Sequence, residues 1–559
     1  MPLSLPKPIR RLLPKTANSA KSKLKHKQNE TAQPTGKSIA IIGSGVSGLT
    51  CAHYLVGAAN IAEVTIFEAN DYIGGHVNTI EVALAEKGRR KRRKHTEYSA
   101  IDTGFIVFNE RTYPNFFRLL HELQVPFQAT EMSFSVKNVA EGFEYNGHTI
   151  NSLLSQRRNV LRPKFWRFVQ DIVSFNKQVK ALRQEFEKAK ALDGGAASKK
   201  ITNRLTEQTL GDYLDAQNYG ELFTDNYLLP MVSAIWSMGL ADARQFPLVF
   251  FAQFFDNHGL LDVVNRPRWF TIIGGSKQYV SKLVTRFLAK EGKVLVNSPV
   301  QSVIRHEKGV TIEYKQEGTK LTAEFDEVIF ACHADTALRL LSDTTSVETE
   351  VLGKFRFTAN EAILHTDTSI LPEKPLAWAS WNYLLPDADA SAKSAVAEHS
   401  TSSEVMDQAL TQVKPVLTYH MNILQRLNKR HNYLVTLNQD INPAHVIKQI
   451  DYEHPVYDKA MLQAQTRWQE ISTMQSHTHF CGAYWFNGFH EDGVKSGLRV
   501  CQSLGIDVNI ETTVDPKHLD KKMLAAAEAD SYKLPVQADK KQRKLKKRHV
   551  ISATTNQTL

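Results

Sequence analysis

Residues 38–68 read SIAIIGSGVSGLTCAHYLVGAANIAEVTIFE, and this stretch constrains the fold more than any other. An apolar, β-branched run from Ile39 to Ile42 leads straight into Gly43-Ser-Gly45-Val-Ser-Gly48. A helix-like segment follows, from Leu49 to Leu55. A second apolar run, Val64 to Phe67, ends in Glu68, twenty residues after Gly48. Strand, glycine turn, helix, strand and acid in this order predict a dinucleotide-binding βαβ unit. Gly43 permits the tight turn. Gly45 lets the backbone approach a pyrophosphate. Gly48 lets the helix close on the strand. The N-terminus of that helix offers free N–H groups and a positive dipole end that suit phosphate. Glu68 is placed to accept hydrogen bonds from a ribose diol, and it would repel a 2′-phosphate, which argues against NADP at this site.

After Glu68 the chain continues Ala69-Asn-Asp-Tyr-Ile-Gly74-Gly75-His76-Val-Asn-Thr79. Two more glycines so soon after the acid suit an extended flavin cofactor, whose pyrophosphate the chain passes a second time. Much later, residues 479–501 read HFCGAYWFNGFHEDGVKSGLRVC. There a strand end meets Gly482, aromatics follow, and Asp492-Gly493 and Ser496-Gly497 open a helix. On these residues the sequence resembles the flavin-containing amine oxidase superfamily, which includes protoporphyrinogen oxidases and phytoene desaturases. The resemblance implies one non-covalently held FAD. It implies contacts from Gly43, Gly45, Val46, Ser47, Gly48, Glu68, Gly74, Gly75, His76, Gly482, Asp492 and Gly493. It also implies that the late helix turns its N-terminus to the flavin. The sequence departs from the superfamily at His76, where an Arg is usual.

Further segments resemble a bacterial branch of that superfamily, NAD/FAD-binding oxidoreductases commonly encoded beside cyclopropane-fatty-acid synthases. They include IDTGFIVFNERTYPNFFRLLHEL (101–123), FFDNHGLLDVVNRPRWFTIIGGSKQYV (254–280), LHTDTSILPEKPLAWASWNY (364–383), TYHMNILQRL (418–427) and HPVYDKAMLQAQTRW (454–468). The implied fold is α/β, a Rossmann-like FAD-binding domain interleaved with an α+β substrate domain. The FAD-binding parts are expected at 37–110, 270–345 and 472–510, and the substrate-domain parts at 111–269 and 346–471, with an insertion at 386–412. Residues 1–36 read as a disordered basic tail, and 511–559 as a helix and a second basic tail.

The resemblance places aromatic side chains at the reactive face of the flavin, where they exclude water and orient a substrate carbon. Tyr484 and Trp485 occupy matching positions in the late motif, and Trp381 and Tyr383 are candidates from the substrate-domain sheet. Each is equally suited to simple core packing. His490 and Glu491 are the nearest ionisable residues and suit either a proton relay or a capping role. The Lys that many relatives hold near the flavin has no identified counterpart. His333, in VIFACHADTALRLL (328–341), stands where Thr-Pro is usual and is given no catalytic role.

Composition bounds the remaining choices. A chain of 559 residues has room for two or three domains. Its four cysteines, Cys51, Cys332, Cys481 and Cys501, form no CxxC pair, which excludes a disulfide scaffold and leaves no expected metal site. The net charge of +11 sits in the tails. Residues 1–36 and 540–559 each carry +7, which leaves −3 for residues 37–539. Such tails suit either an anionic membrane surface or mere solubility. No nucleic-acid motif appears, and nothing sets the oligomeric state. A third basic run, Arg89 to Lys94, reads as a hairpin tip. There is neither a signal-peptide core nor an apolar run long enough to span a bilayer. The expectation is a cytoplasmic protein able to touch the inner membrane face.

Residues 151–194 show helical spacing with many Lys and Arg, read as a helix pair that either covers the core or lies at a membrane surface. Residues 226–255 are apolar but interrupted by Pro230 and Pro247, and suit the lining of an apolar pocket. No second dinucleotide motif follows residue 80, as two-dinucleotide reductases would need. Three functional readings result. The first is a FAD-dependent oxidoreductase taking a hydride from a C–H bond of a lipid-like substrate. The second is a redox-neutral isomerase or hydratase of fatty acids. The third is a non-catalytic FAD-bound partner of a lipid-modifying methyltransferase.

Overall fold

A computed structural model describes residues 36–86, 95–192, 196–262, 266–386, 414–427 and 429–519. The expected basic tails, nearly all of the 386–412 insertion and the run Arg89–Lys94 lie outside these residues. The strands on either side of that run, Thr79–Glu86 and His95–Asp102, pair antiparallel with Glu86 opposite His95.

A five-stranded sheet carries the first motif. Its order is Lys293–Leu295, Ile61–Phe67, Lys37–Ile42, Glu327–Phe330 and Thr478–Phe480, and every pair is parallel. The central strand holds Ile39, Ala40 and Ile41 at zero exposure. Both of its faces are covered, so it reads as a continuous apolar run without alternation. The helix Val46–Leu55 follows it and packs on the late helix His490–Ser503. Glycines set that approach. A Cβ on Gly497 would lie 2.7 Å from the Ser47 carbonyl oxygen, and one on Gly493 would lie 2.4 Å from Val46 Cγ1.

A second, seven-stranded sheet has the order Val446–Val456, Arg356–His365, Leu434–Leu437, Val416–His420, Trp381–Leu385, Phe134–Asn138 and Phe143–Asn146. Its pairs are antiparallel except Trp381–Leu385 with Phe134–Asn138. A helical layer packs beside it. The expected helix pair within 151–194 is instead a short turn, Ile150–Leu153, a 3₁₀ turn, Arg157–Leu161, and one helix of 29 residues, Pro163–Ala191. Pro163 starts that helix at its first position, where its missing N–H costs nothing, and no Gly or Pro interrupts it afterwards. Its buried residues Phe165, Phe168, Phe175, Val179 and Phe186 recur at helical spacing.

The prolines in 226–255 fall differently. Pro230 lies inside a continuous helical run, just after the π-helical turn Thr224–Leu228 that leads into Leu229–Trp236, and Pro247 caps Leu248–Asn257. Among the described residues no helix is long and apolar enough to cross a membrane, and no group of His, Cys, Asp or Glu is arranged to hold a metal ion.

Candidate active site

The two glycine loops meet. Gly43 has φ +105°, and a Cβ there would lie 2.9 Å from the Ala331 carbonyl oxygen. A Cβ on Gly48 would lie 2.2 Å from the Gly43 carbonyl oxygen and 3.2 Å from Ile41 Cγ2. Both positions exclude any side chain because the helix and strand touch there. Gly45 differs, since a Cβ there would meet nothing within 4 Å. It faces open space, and it is also the N-cap of Val46–Leu55, so no side chain satisfies the first N–H groups of that helix. A Cβ on Gly75, at φ +57°, would lie 3.2 Å from the Gly45 Cα, so the second loop passes close to the first. The result is a cradle of backbone donors suited to an anion.

Glu68 is buried at the end of its strand. One carboxylate oxygen accepts from the Ser44 N–H at 2.9 Å and the Ser44 hydroxyl at 2.5 Å. The other accepts from the Asn70 N–H at 2.9 Å and its side-chain amide at 3.0 Å. Each oxygen therefore already has two donors. A ribose diol at Glu68 would displace the Ser44 hydroxyl or the Asn70 amide, both of which can rotate away.

His76 is not a cation in this setting. Burial pushes its pKa down to about 3, and the nearby rings of His454 and His333 add to the effect. Its ring stacks on Tyr452 with centroids 5.0 Å apart and approaches His454 at 5.8 Å. Tyr452 and His454 share one face of the edge strand Val446–Val456 because alternate strand residues point the same way. His333 stacks on Phe357 and bonds to Glu453 at 3.1 Å. Of these histidines only His454 went unrecognised in the sequence; the Tyr-x-His alternation at 452–454 is the signal that marks it.

The late motif supplies the middle of the wall. Gly482 sits at φ +156° and hands over to a 3₁₀ turn, Ala483–Trp485. His490 lies face to face with Phe105, centroids 3.6 Å apart, and its Nε2 shares a hydrogen bond of 2.7 Å with the Tyr279 hydroxyl. Burial holds this imidazole well below its ordinary pKa, so it is neutral. Glu491 points away from the cavity. Its carboxylate accepts from the Asn115 and Phe116 N–H groups at 3.0 and 2.9 Å, and so caps the helix Pro114–Glu122. Asp492 accepts from the Phe489 N–H at 2.9 Å at the start of its own helix. Burial pushes Glu491 up to about 8 and Asp492 up to about 7.

One cavity of about 920 Å³ joins these parts. Gly43–Ser47, Glu68, Gly74, Gly75 and His76 line one end, Gly482, Tyr484 and His490 the middle, and Trp381, Tyr419, Met231, Ile235, Phe254 and Leu260 are among those lining the rest. Tyr457 Oη, Tyr484 Oη and Trp381 Nε1 are buried on this wall without a hydrogen-bond partner. The acids on the wall are Glu68, Asp451 and Glu453, at the glycine loop and on the strand that stacks over His76. Among the described residues, the apolar end carries His148, His258 and Arg266 as its ionisable cationic groups. Burial keeps His258 neutral, with a pKa near 4.

Of the aromatic candidates, Tyr484 and Trp381 reach the cavity. Trp485 is buried behind it against Phe355, and Tyr383 is buried with its hydroxyl 3.0 Å from Ser233 Oγ. Of the candidate cofactor contacts, Gly48, Asp492 and Gly493 stand behind the wall, where they set the packing of the two helices. Cys481 also faces away, its Sγ 3.9 Å from Cys51 Sγ.

The sequence profile of the family described as flavin containing amine oxidoreductase matches residues 46–389. Among solved structures, a wild-type putrescine oxidase bound to putrescine aligns at 13% identity with a TM-score of 0.54, covering 84% of this chain and 99% of that one. Cyclohexylamine oxidase from Brevibacterium oxydans aligns at 15% identity with a TM-score of 0.53, covering 84% and 100%. A fatty acid isomerase from P. acnes, described as CLA-producing, aligns at 12% identity with a TM-score of 0.53, covering 84% and 99%. At such identities these likenesses speak for the fold alone. No curated protein matches the sequence.

Proposed function

The chain belongs to the family of flavin-containing amine oxidoreductases, and from that premise we propose that it takes a hydride from a C–H bond of an apolar, acyl-chain-like substrate. It is a flavin-dependent oxidoreductase whose cofactor is FAD. The groups at the glycine end fit that cofactor. The uncapped helix at Gly45 and the open space above it would take the pyrophosphate, and Glu68 would take a ribose. Gly74, Gly75 and neutral His76 close the second side without a formal charge. Gly482 and the N-terminal turn at His490 bound the flavin end. When bound, FAD supplies the hydride acceptor.

The residues around it do the rest. Tyr484 and Trp381 flank the space and shed water from it, which keeps the local dielectric low. Neutral His490, locked between Phe105 and Tyr279, holds the middle wall rigid rather than carrying charge. Non-covalent binding of FAD agrees with Cys481 of the late motif, whose thiol faces Cys51 instead of the cavity.

The observation that carries the substrate reading is the apolar end of the cavity. No carboxylate lines it among the described residues. A protonated amine there would be buried without a counter-charge, which is costly, whereas an acyl chain would gain from the same wall. The test is an anaerobic titration of the purified holoenzyme. Membrane lipids or fatty acids should bleach the flavin absorbance, and putrescine should not. Bleaching by amines alone would overturn the reading. Consumption of lipid with mass conserved, no acceptor used and the flavin still oxidised would identify a redox-neutral isomerase instead.

A further inference from the structure

The cavity does not account for the surface beside it. Between the strand Phe143–Asn146 and the helix Pro163–Ala191 the chain reads INSLLSQRRNVLRPKFWR (150–167), with five cations and no acid. Large apolar side chains stand in water along it. Ile150 is 80% exposed, Leu161 87% and Trp166 52%, and Val160 is exposed as well. One such residue is ordinary; several in one short basic segment mark a contact surface.

The segment is built, not loose. Thr149 and Ser152 form a reciprocal cap on the turn Ile150–Leu153, and Phe165 and Phe168 anchor the helix in the core. Hydrogen bonds join the pieces into one surface. The Arg157 guanidinium donates to Asn151 Oδ1 at 2.6 Å, beside Ile150, and the Trp166 indole N–H donates to the Val160 carbonyl at 2.9 Å. Arg157, Arg158, Arg162 and Lys164 meet no carboxylate among the described residues. Arg167 is answered by Asp171 at 3.8 Å, and Glu141 sits on the turn whose Gly142 carbonyl accepts from Arg158. Glu144 and Glu373 share a groove with Arg157 and Arg158, but Lys137 and Lys374 line it too, so the cations stay in excess.

We propose that residues 150–167 dock the protein on an anionic lipid bilayer. Charge picks the partner, since unpaired cations gain at an anionic surface and not at a neutral one. Trp suits the boundary between apolar and wet, and the Arg and Lys stems lie along apolar material with their heads in water. The position is apt as well. Gly147 and His148 are exposed and line the cavity, so it reaches the surface three residues or fewer from Ile150. A docked patch sets that mouth against lipid. Delivery of an acyl chain rests on the substrate reading above; docking itself does not.

The experiment is co-sedimentation of the full-length holoenzyme with phosphatidylcholine vesicles, with and without phosphatidylglycerol. Full-length protein and a chain lacking residues 1–35 and 540–559 should both bind the anionic vesicles and spare the neutral ones. The double variant Leu161→Asp/Trp166→Asp should lose at least about tenfold in affinity. Arg157→Gln/Arg158→Gln/Lys164→Gln should lose the preference for phosphatidylglycerol. These side chains are exposed, so flavin absorbance and thermal unfolding should stay unchanged. Wild-type binding by the Asp variant, loss of all binding with the tails, or a change of oligomeric state in place of a change in vesicle binding would each overturn the proposal. Turnover of detergent-dispersed lipid separates the two readings. A docking-defective variant that still turns it over supports both, and docking without any lipid turnover leaves docking standing and sinks the substrate reading.

Discussion

The two ends of the cavity are made from different parts of the polypeptide. The glycine end is backbone: a helix start without a cap, two loops in contact, and one acid already held by four donors. The apolar end is side chain: Met, Ile, Phe, Leu and Trp, with no carboxylate lining it among the described residues. A backbone site tolerates almost no substitution, because the peptide group has no alternative shape. A side-chain wall can be repapered, provided its volume and polarity are kept. The first end serves a cofactor that does not vary, and the second a substrate that can.

The sharpest way to break this comparison is at Gly45. Gly45→Trp should yield a folded but colourless protein, since nothing lies within 4 Å of the new Cβ except the ligand's own space. Gly48→Val should instead fail to fold, because its Cβ would sit 2.2 Å from the Gly43 carbonyl oxygen. Circular dichroism and flavin absorbance on the two variants decide the point. A yellow Gly45→Trp protein would show that the cradle is not the cofactor's seat.

Next in size is the seam behind the wall. Burial holds Glu491 near 8 and Asp492 near 7, above their unfolded values. The folded chain therefore keeps protons that the unfolded chain releases above about pH 5. Stability should fall as pH climbs from there toward 8, by up to a few kcal/mol for shifts of this size. Thermal unfolding across that range should show the slope, and Glu491→Gln should flatten it. An unchanged slope in the variant would locate the titration elsewhere.

Glu68→Ala should weaken FAD binding by about 1–3 kcal/mol, the range for a charged hydrogen bond. Fluorescence titration of the apoprotein with FAD reads it directly. The smallest effect belongs to the other end. Met231→Ala should raise KM for an acyl substrate several-fold, about 1 kcal/mol for a lost apolar contact. The FAD dissociation constant should not move. A shift there would show that the two ends are not separable.

The same contrast explains what could be read from the chain. Gly43 and Gly48 announce themselves because residue type reports backbone conformation and close approach directly, and the strands around them are long apolar runs between turns. The apolar end has no such spelling. In 226–255, Met231 and Ile235 line the cavity while Leu229 and Val232 fill the core, and composition cannot tell these fates apart. Tyr484 and Trp485 are neighbours, yet only the first faces the cavity, because adjacent residues of a 3₁₀ turn diverge. Asp492 and Gly493 match a motif whose glycine serves helix contact here. His454 escaped notice because its partner, His76, lies nearly four hundred residues earlier.

The packing of Val46–Leu55 on His490–Ser503 also has a consequence for how the protein is born. The central strand of the parallel sheet is the first to leave the ribosome, and its outermost neighbour on one side, Thr478–Phe480, is among the last. At about 5–20 residues per second, the opening glycine motif waits on the order of half a minute or longer for the helix that completes it. Until then its apolar strands have no full cover, and the nascent chain depends on holding factors or on its own early helices. The cradle at residues 43–76 is complete early, but Gly482 and His490 join the cavity wall only with the last helix.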